Sequence, residues 1–304
     1  MIRQFEYLTA LASERHFARA AAKCHVTQST LSAGIKQLET SLGVLIVERN
    51  QRFAGFTPEG ERVLFWAQHF LADYSTLRQE LGQMDGNLTG TLTLGVVPMA
   101  ESVVPLLAAD ILEQHPHIQL VVRSLPSTEI ERALRDFTLD VGLTYLDHPP
   151  SASLHSLPLY RERYILVTEK SGRLRGCRTV RWADAAKLPL CLLTPDMENR
   201  RIIDHHFRSV GAEVRPSLQT NSLNTLWFHL HQGSWSSVLP HTFMPLLVDN
   251  KKVMSLSLVE PEVSSLVGLV AAHRDPVAPA VKVLLSIAKS SNFRKRLEKI
   301  SKDR

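Results

Sequence analysis

Between Val63 and Met84, apolar side chains fall at Val63, Ala67, Phe70, Tyr74, Leu77, Leu81 and Met84, with gaps alternating four and three residues. A repeat of 3.5 residues draws one seam along a helix, the pattern of helices that pair with other helices. The start of this helix is written at Thr57-Pro58-Glu59: an N-cap residue, then a proline at the first helical position, where its missing N–H leaves nothing unsatisfied. Glu59 and Glu61 suit the positive end of the helix dipole. Gly82 and Asp85-Gly86-Asn87 mark its stop. Without a covering helix, Phe70, Tyr74 and Leu77 would stand in water. A second reading packs this helix on its own domain, for which Phe65 and Trp66 beside the seam supply width. A short helical module precedes the helix and a long α/β pattern follows it, so the chain reads as two working parts joined by a dimerising rod.

The 304 residues suffice for two or three compact units. No apolar run approaches the roughly 20 residues that a membrane span requires, and Met1-Ile2-Arg3-Gln4-Phe5-Glu6 lacks a signal-peptide core. The expectation is a cytoplasmic protein with no membrane partner. Three cysteines, Cys24, Cys177 and Cys191, argue against a disulfide framework. The formal net charge of +5 invites a nucleic-acid reading, but its location weakens that inference. Residues 289–304 carry +5 by themselves, whereas residues 1–60 carry only +2. The case for DNA rests on pattern.

Ile2, Phe5, Leu8 and Ala12 give a first helix, and Phe17 to Cys24 a short alanine-rich second one that another helix can approach closely. Thr27 is a good N-cap for a third, whose apolar face is Leu31, Ile35, Leu38 and Leu42. Its opposite face, Ser29, Ser32, Ala33 and Lys36 with Gln28 at the leading end, lies about 140° away around the helix. That face is short-chained and nearly uncharged, so it can enter a groove, where Gln28 and Ser29 can bond base edges. Three short helices with a tight turn before the third describe a helix-turn-helix; an ordinary bundle with a polar outer face is the competing description. Val44-Leu45-Ile46-Val47 reads as a strand, and Arg49 to Phe56 as a turn and returning strand. This forms a wing whose Arg49 and Arg52 can hold phosphates or reach the minor groove.

Phe17-Ala18-Arg19-Ala20-Ala21, Val26-Thr27-Gln28-Ser29-Thr30-Leu31-Ser32, Ile35-Lys36-Gln37-Leu38-Glu39, Leu42-Gly43-Val44-Leu45 and Thr57-Pro58-Glu59-Gly60 together resemble the N-terminal winged helix-turn-helix of LysR-type transcriptional regulators. The return strand Ala54-Gly55-Phe56 departs from the family's wing. The resemblance implies that Thr27, Gln28, Ser29, Thr30, Ser32, Ala33 and Lys36 form the DNA-binding helix surface, with backbone or minor-groove roles for Arg49 and Arg52. It further implies an antiparallel homodimer through the linker helix, pairing into a homotetramer, and double-stranded DNA, a small-molecule effector and RNA polymerase as partners.

Beyond residue 90, strands at Thr91–Val96, Ile118–Val122 and Asp140–Thr144 alternate with helices at Val103–Gln114 and Thr128–Phe137, a parallel α/β unit. After Pro149-Pro150 the alternation restarts: strands near Tyr164–Val167, Leu190–Leu193 and Val267–Val270, helices Asn199–Ser209, Ser222–His231 and Pro279–Leu297. The expected fold class is an all-α winged helix-turn-helix domain (1–58), a linker helix (59–89) and a two-lobed α/β effector domain (90–304) similar to type 2 periplasmic binding proteins. Its lobes are expected at 90–161 with 266–304, and at 162–265. In open α/β sheets ligands sit at strand carboxyl ends, where helix N-termini suit anions. Ser102, Ser127-Thr128 and Asn221-Ser222 open such helices, each as a mere N-cap or, together, as a pocket for a carboxylate. The resemblance places Met99, Ala100, Ser127, Asn221, Ser222 and Gly268 at the effector cleft. Arg200 offers a bidentate anion contact or sits on the surface beside Arg201.

His205-His206 and His229-x-His231, with His241 nearby, point to different faces of their helices and would need partners from elsewhere to hold a metal, so neither metal nor cofactor is expected. Gly233-Ser234-Trp235-Ser236-Ser237 lacks the second glycine of a nucleophile elbow, and no phosphate-binding glycine loop occurs, so an enzyme is not expected. Two rivals remain. Some members of the resembled family sense peroxide through thiols, which would give Cys177 and Cys191 a redox role, although Cys191 sits in an apolar run and Cys24 at an apolar helix position. The other rival is a cytoplasmic solute binder carrying a helical module.

Overall fold

The computed structural model describes residues 1–49, 53–84, 86–148, 151, 153–232, 235–247 and 250–302. It divides into two compact units, residues 1–90 in one and, apart from 135–138 and 276–279, the remainder in the other.

The first unit runs α1 (Ile2–Glu14), α2 (Phe17–Lys23), α3 (Gln28–Leu42), β1 (Val47–Arg49), β2 (Phe53–Phe56) and α4 (Pro58–Met84). Each turn has a local cause. Arg15 closes α1 in the left-handed region, His16 caps α2, and Gly43 at φ 69° ends α3. Thr27 Oγ1 accepts the Thr30 N–H at 3.2 Å and so fixes the start of α3. Leu8 and Leu11, Ala20 and Ala21, Leu31, Ile35 and Leu38, and Leu64 bury together as one core. At Gly34 a methyl group would lie 2.7 Å from the Tyr7 ring, so α1 and α3 cross at a distance only glycine allows.

The strand expected at Val44–Val47 begins instead at Val47. The buried Glu39 side chain explains the shift. Its Oε1 accepts the N–H groups of Ile46 and Val47, while Val44 N–H bonds the Glu39 carbonyl, so residues 44–46 are held against the end of α3. β1 then pairs antiparallel with β2, Val47 opposite Phe56. Thr57 caps α4 as expected, its Oγ1 taking the Gly60 N–H at 2.9 Å. A methyl at Gly60 would fall 2.0 Å from the Ile46 carbonyl oxygen, so the helix can start there only with glycine.

Along α4 the seam splits. Ala67 is buried in the core of its own unit, while Phe70, Tyr74, Leu77, Leu81 and Met84 are exposed, Leu77 by 50% and Phe70 by 56%. Phe5 stacks on Phe70 with ring centroids 5.7 Å apart and planes 4° from parallel. Beside them Leu42, Val44, Pro58, Val63 and Trp66 line an apolar hollow.

The second unit contains β3 (Gly90–Val96), a 3-10 turn (Pro98–Val103), α5 (Val104–Gln114), β4 (Ile118–Ser124), α6 (Ser127–Arg135), β5 (Val141–Tyr145), β6 (Leu154–Glu169), β7 (Thr179–Arg181), α7 (Trp182–Ala185), β8 (Cys191–Leu193), α8 (Glu198–Ser209), β9 (Leu218–Thr220), α9 (Leu223–His231), β10 (Ser237–Pro240), a second 3-10 turn (His241–Leu247), β11 (Val253–Val259), β12 (Ser264–Ala272), α10 (Pro279–Lys289) and α11 (Ser291–Lys302). Its main sheet has the order β4-β3-β5-β12-β6-β11-β7, with β10 also on β6; β8 and β9 form a separate parallel pair. β3 and β5 are parallel, but β12 runs antiparallel to both β5 and β6.

β6 joins the two lobes. Leu154–Arg163 pair with β12, and from Tyr164 onward the same strand pairs with β10 and β11. The strand expected near Tyr164–Val167 is part of a longer one that begins at Leu154. The ladder absorbs Pro158 through a register shift beside Gly268, where a methyl would meet the Leu157 carbonyl oxygen at 2.4 Å. The expected helix Pro279–Leu297 is two helices, because Ser290 Oγ accepts the Phe293 N–H and starts α11 anew.

Candidate nucleic-acid interface and effector cleft

On α3 the residues Leu31, Ile35, Leu38 and Glu39 are buried, while Gln28, Ser29, Ser32, Ala33 and Lys36, with Thr27 and Thr30, are all exposed. The seven helix positions expected to read DNA therefore share one solvent-facing stretch. Thr27 Oγ1 also lies 2.9 Å from Ser29 Oγ and 2.8 Å from Thr30 Oγ1, tying these short side chains to the helix start. Arg49 ends β1, but its side chain and the whole of Arg52 lie outside the described residues. In α2, Arg19 and Lys23 converge on Glu14.

The nine expected effector residues have different settings. Met99 and Ala100 are buried, and Met99 packs with Ile165, Leu193, Met197, Leu226 and Phe243 of the second lobe. Ser102 was expected to open a helix. It lies inside the 3-10 turn, α5 begins at Val104 with no side-chain cap from the preceding Val103, and the Ser102 hydroxyl instead meets Thr242 Oγ1 at 3.0 Å. Ser127 begins α6 and accepts a hydrogen bond from Thr144, while Thr128 is exposed. Asn221 is exposed and Ser222 caps α9 by accepting the Thr225 N–H, the plain N-cap role. Gly268 is required by close packing.

Arg200 is neither a surface residue nor open to a ligand on every side. It is buried, with Nε on Asp204 at 2.8 Å and Nη1 on the Leu193 carbonyl and on Gln219. Its guanidinium ties α8 to β8 and β9. The pattern Glu198-Asn199-Arg200-Arg201-x-x-Asp204 carries this i,i+4 ion pair, a signal the sequence did offer.

Sequence reasoning missed a buried polar cluster at the lobe junction. Glu162 is fully buried; Tyr145 O–H donates to its Oε1 at 2.9 Å and Tyr160 O–H to its Oε2 at 3.4 Å. Asn199 Nδ2 donates to the Tyr145 oxygen at 3.3 Å. Burial pushes the Glu162 carboxyl up to about 8 against the downward pull of the two phenols, with Asp147 adding to the rise. Nearby, His241 Nδ1 accepts the Arg163 N–H at 3.1 Å, and burial lowers this imidazole to about 4, with Arg163 adding to the fall. Thr194 Oγ1, Asn199 Oδ1 and His241 Nε2 are buried without a hydrogen-bond partner among the described residues. α8 starts at Glu198, and Met197 before it supplies no side-chain cap.

Residues 85–292 match the family described as the LysR substrate binding domain, and residues 2–61 match the bacterial regulatory helix-turn-helix protein, lysR family. The chain belongs to the LysR family. It is a LysR-type transcriptional regulator, with a winged helix-turn-helix followed by a two-lobed α/β domain. Among similar proteins of this family, the HTH-type transcriptional regulator EstR of Acinetobacter baylyi is 30% identical over 95% of this chain and 96% of its own. The DNA-binding transcriptional dual regulator OxyR of Escherichia coli is 28% identical over 88% of each chain. Full-length OxyR from Pseudomonas aeruginosa, in variant form, superposes with a TM-score of 0.72 at 25% identity, covering 95% of this chain and 97% of that one. Full-length CbnR in complex with its target DNA has a TM-score of 0.67 at 19% identity, covering 95% and 99%.

Other proteins similar to this LysR-family chain are described as hydrogen peroxide-inducible genes activators, and this chain has three thiols of its own. All three are free. Cys191 is buried within β8, and burial raises its thiol to about 11, so little thiolate is present near neutrality. Cys177 is exposed in the segment before β7, and Cys24 closes α2 half-buried.

Proposed function

We propose that this regulator reads a partly palindromic operator as a dimer, placing two copies of α3 in successive major grooves. A small, anionic effector held between the lobes sets the output. The observation that carries the reading is the division of α3 into a buried apolar face and an exposed face of short polar side chains, alongside an α4 whose seam beyond Ala67 is exposed. A second copy covers that seam, and pairs of dimers form the tetramer. The wing arginines Arg49 and Arg52 hold the DNA backbone. We take the lobe borders at 161–162 and 265–266, a reading supported by the nearby exchange of β6's partners between Arg163 and Tyr164. RNA polymerase is the further partner through which a cytoplasmic regulator of this kind acts.

An anionic effector is favoured by the first turn of α8, which has no side-chain cap and adjoins the Thr194 hydroxyl, unpartnered among the described residues. Ser127 and Ser102 supply hydroxyls on the other lobe. The ligand must bind one lobe arrangement better than the other, or it shifts nothing. A redox output through Cys177 and Cys191 is the second reading, favoured by the OxyR relatives and opposed by the burial of Cys191. Selecting bound duplexes from random-sequence DNA, then footprinting them with and without a panel of small carboxylates, tests the proposal. A defined protected site that changes with one carboxylate supports it; no preference among duplexes rejects it.

A further inference from the structure

Glu162 stands where one strand passes from lobe to lobe. Its neighbour in the ladder is Ser265 of β12, while two residues later β6 is already paired with β10. The hydrogen bonds around it cross the same junction, from Asn199 of α8 in the second lobe, through the phenol of Tyr145 at the end of β5 in the first, to the carboxyl on the shared strand. The other titratable or charged groups packed around this point are Asp147 beyond β5, Tyr160, Arg163 and Tyr164 on β6, Glu198 on α8 and His241 after β10. Tyr164 is occupied separately, its O–H on Ser265 at 2.8 Å.

We propose that Glu162, Tyr145 and Asn199 form a proton-operated latch between the lobes, closed while Glu162 is a neutral acid and released when it becomes an anion. The inference rests on the reading of a two-lobed effector domain whose lobe arrangement sets the output. With the carboxyl neutral, Tyr145 and Tyr160 donate to its two oxygens and no charge is buried. As an anion it is shut away from water with two phenol donors, and water entering between the lobes relieves it. The carboxyl titrates at about 8, so the latch responds just above neutrality. A proton and an effector that favour the same closed arrangement raise each other's affinity, by reciprocity of linkage.

Spin labels on the exposed positions Arg123→Cys in β4 and Arg208→Cys in α8 report the lobe separation in the full-length protein, with Cys24 and Cys177 changed to serine and labelled chains diluted with unlabelled ones. Between about pH 6.5 and about pH 9.5 the distance distribution is expected to gain a longer population with a midpoint near 8. The Glu162→Gln variant should keep the low-pH distribution throughout. Tyr145→Phe removes the phenol that links Asn199 to Glu162, so its longer population should already be present at about pH 6.5. Identical wild-type distributions at both ends, a Glu162→Gln protein that follows the wild type, or a Tyr145→Phe protein that keeps the wild-type low-pH distribution would each overturn the latch. Neither DNA nor ligand enters this measurement, so its failure leaves operator reading intact, whereas loss of any duplex preference would sink operator reading alone.

Discussion

Glu39 Oε1 holds the N–H groups of Ile46 at 3.0 Å and Val47 at 3.2 Å. A single carboxylate on the buried side of α3 therefore fixes where the wing begins, and couples the helix expected in the major groove to the hairpin expected on the backbone. Glu39→Ala would leave two buried donors unsatisfied, a loss of about 3 kcal/mol from the N-terminal unit. Glu39→Gln retains an acceptor and should lose about half of that. Urea unfolding followed by helical circular dichroism measures both; equal losses for the two variants would show that the acceptor oxygen is not what matters.

Base reading and backbone holding should separate by mutation. Gln28→Ala is expected to relax base preference, by about 1–3 kcal/mol of discrimination at the position it reads. Arg52→Ala should weaken all sequences alike and flatten the logarithmic salt dependence by about one unit. Fluorescence anisotropy titrations at several salt concentrations check this, and an unchanged slope for Arg52→Ala removes that residue from the phosphate contacts.

Two buried groups set the pH dependence of stability. Glu162 is neutral in the fold up to about 8, whereas in the unfolded chain it ionises near 4.5, so folding takes up a proton in that window and stability falls as pH rises through it. His241 stays neutral in the fold down to about 4 against 6.5 unfolded, so its contribution is complete above 6.5 and is lost as pH falls. Between 4.5 and 6.5 the two oppose each other. From 6.5 to 8 Glu162 acts alone of the pair, and stability should decline by up to about 1.4 kcal/mol per pH unit. Scanning calorimetry should find the decline in the wild type and its absence in Glu162→Gln; a parallel decline in the variant would assign it to other groups.

Serine at both Cys177 and Cys191 is expected to leave peroxide-independent regulation untouched, and peroxide to leave the wild type unchanged, since the Cys191 thiol is held protonated inside β8. Non-reducing electrophoresis and operator footprints of the treated wild type provide the check. A disulfide that alters the footprint would favour the redox reading.

Much of the molecule was written locally. The caps at Thr27 and Thr57, the buried face Leu31-Ile35-Leu38 and the seam from Phe70 to Met84 each follow from short-range pattern, and each stands where expected. What escaped depends on distant partners. β6 is a strand over Leu154–Arg163 because β12 lies beside it, not because of its own residues. Glu162 carries no local signal of burial: it stands between Arg161 and Arg163, and only pairing within the sheet turns it inward while its neighbours face out. Arg200 was misjudged because Gln219 and the Leu193 carbonyl, which engage it, come from separate strands.

The dimer is most directly tested by sedimentation velocity on the full-length protein and on Leu77→Asp, a residue half exposed at the middle of the seam. The wild type should sediment as a dimer or larger, and the variant as a folded single chain that has lost its preference among duplexes. An unchanged sedimentation coefficient for Leu77→Asp, or a wild type that runs as one chain, would contradict the seam as the contact that pairs two reading heads.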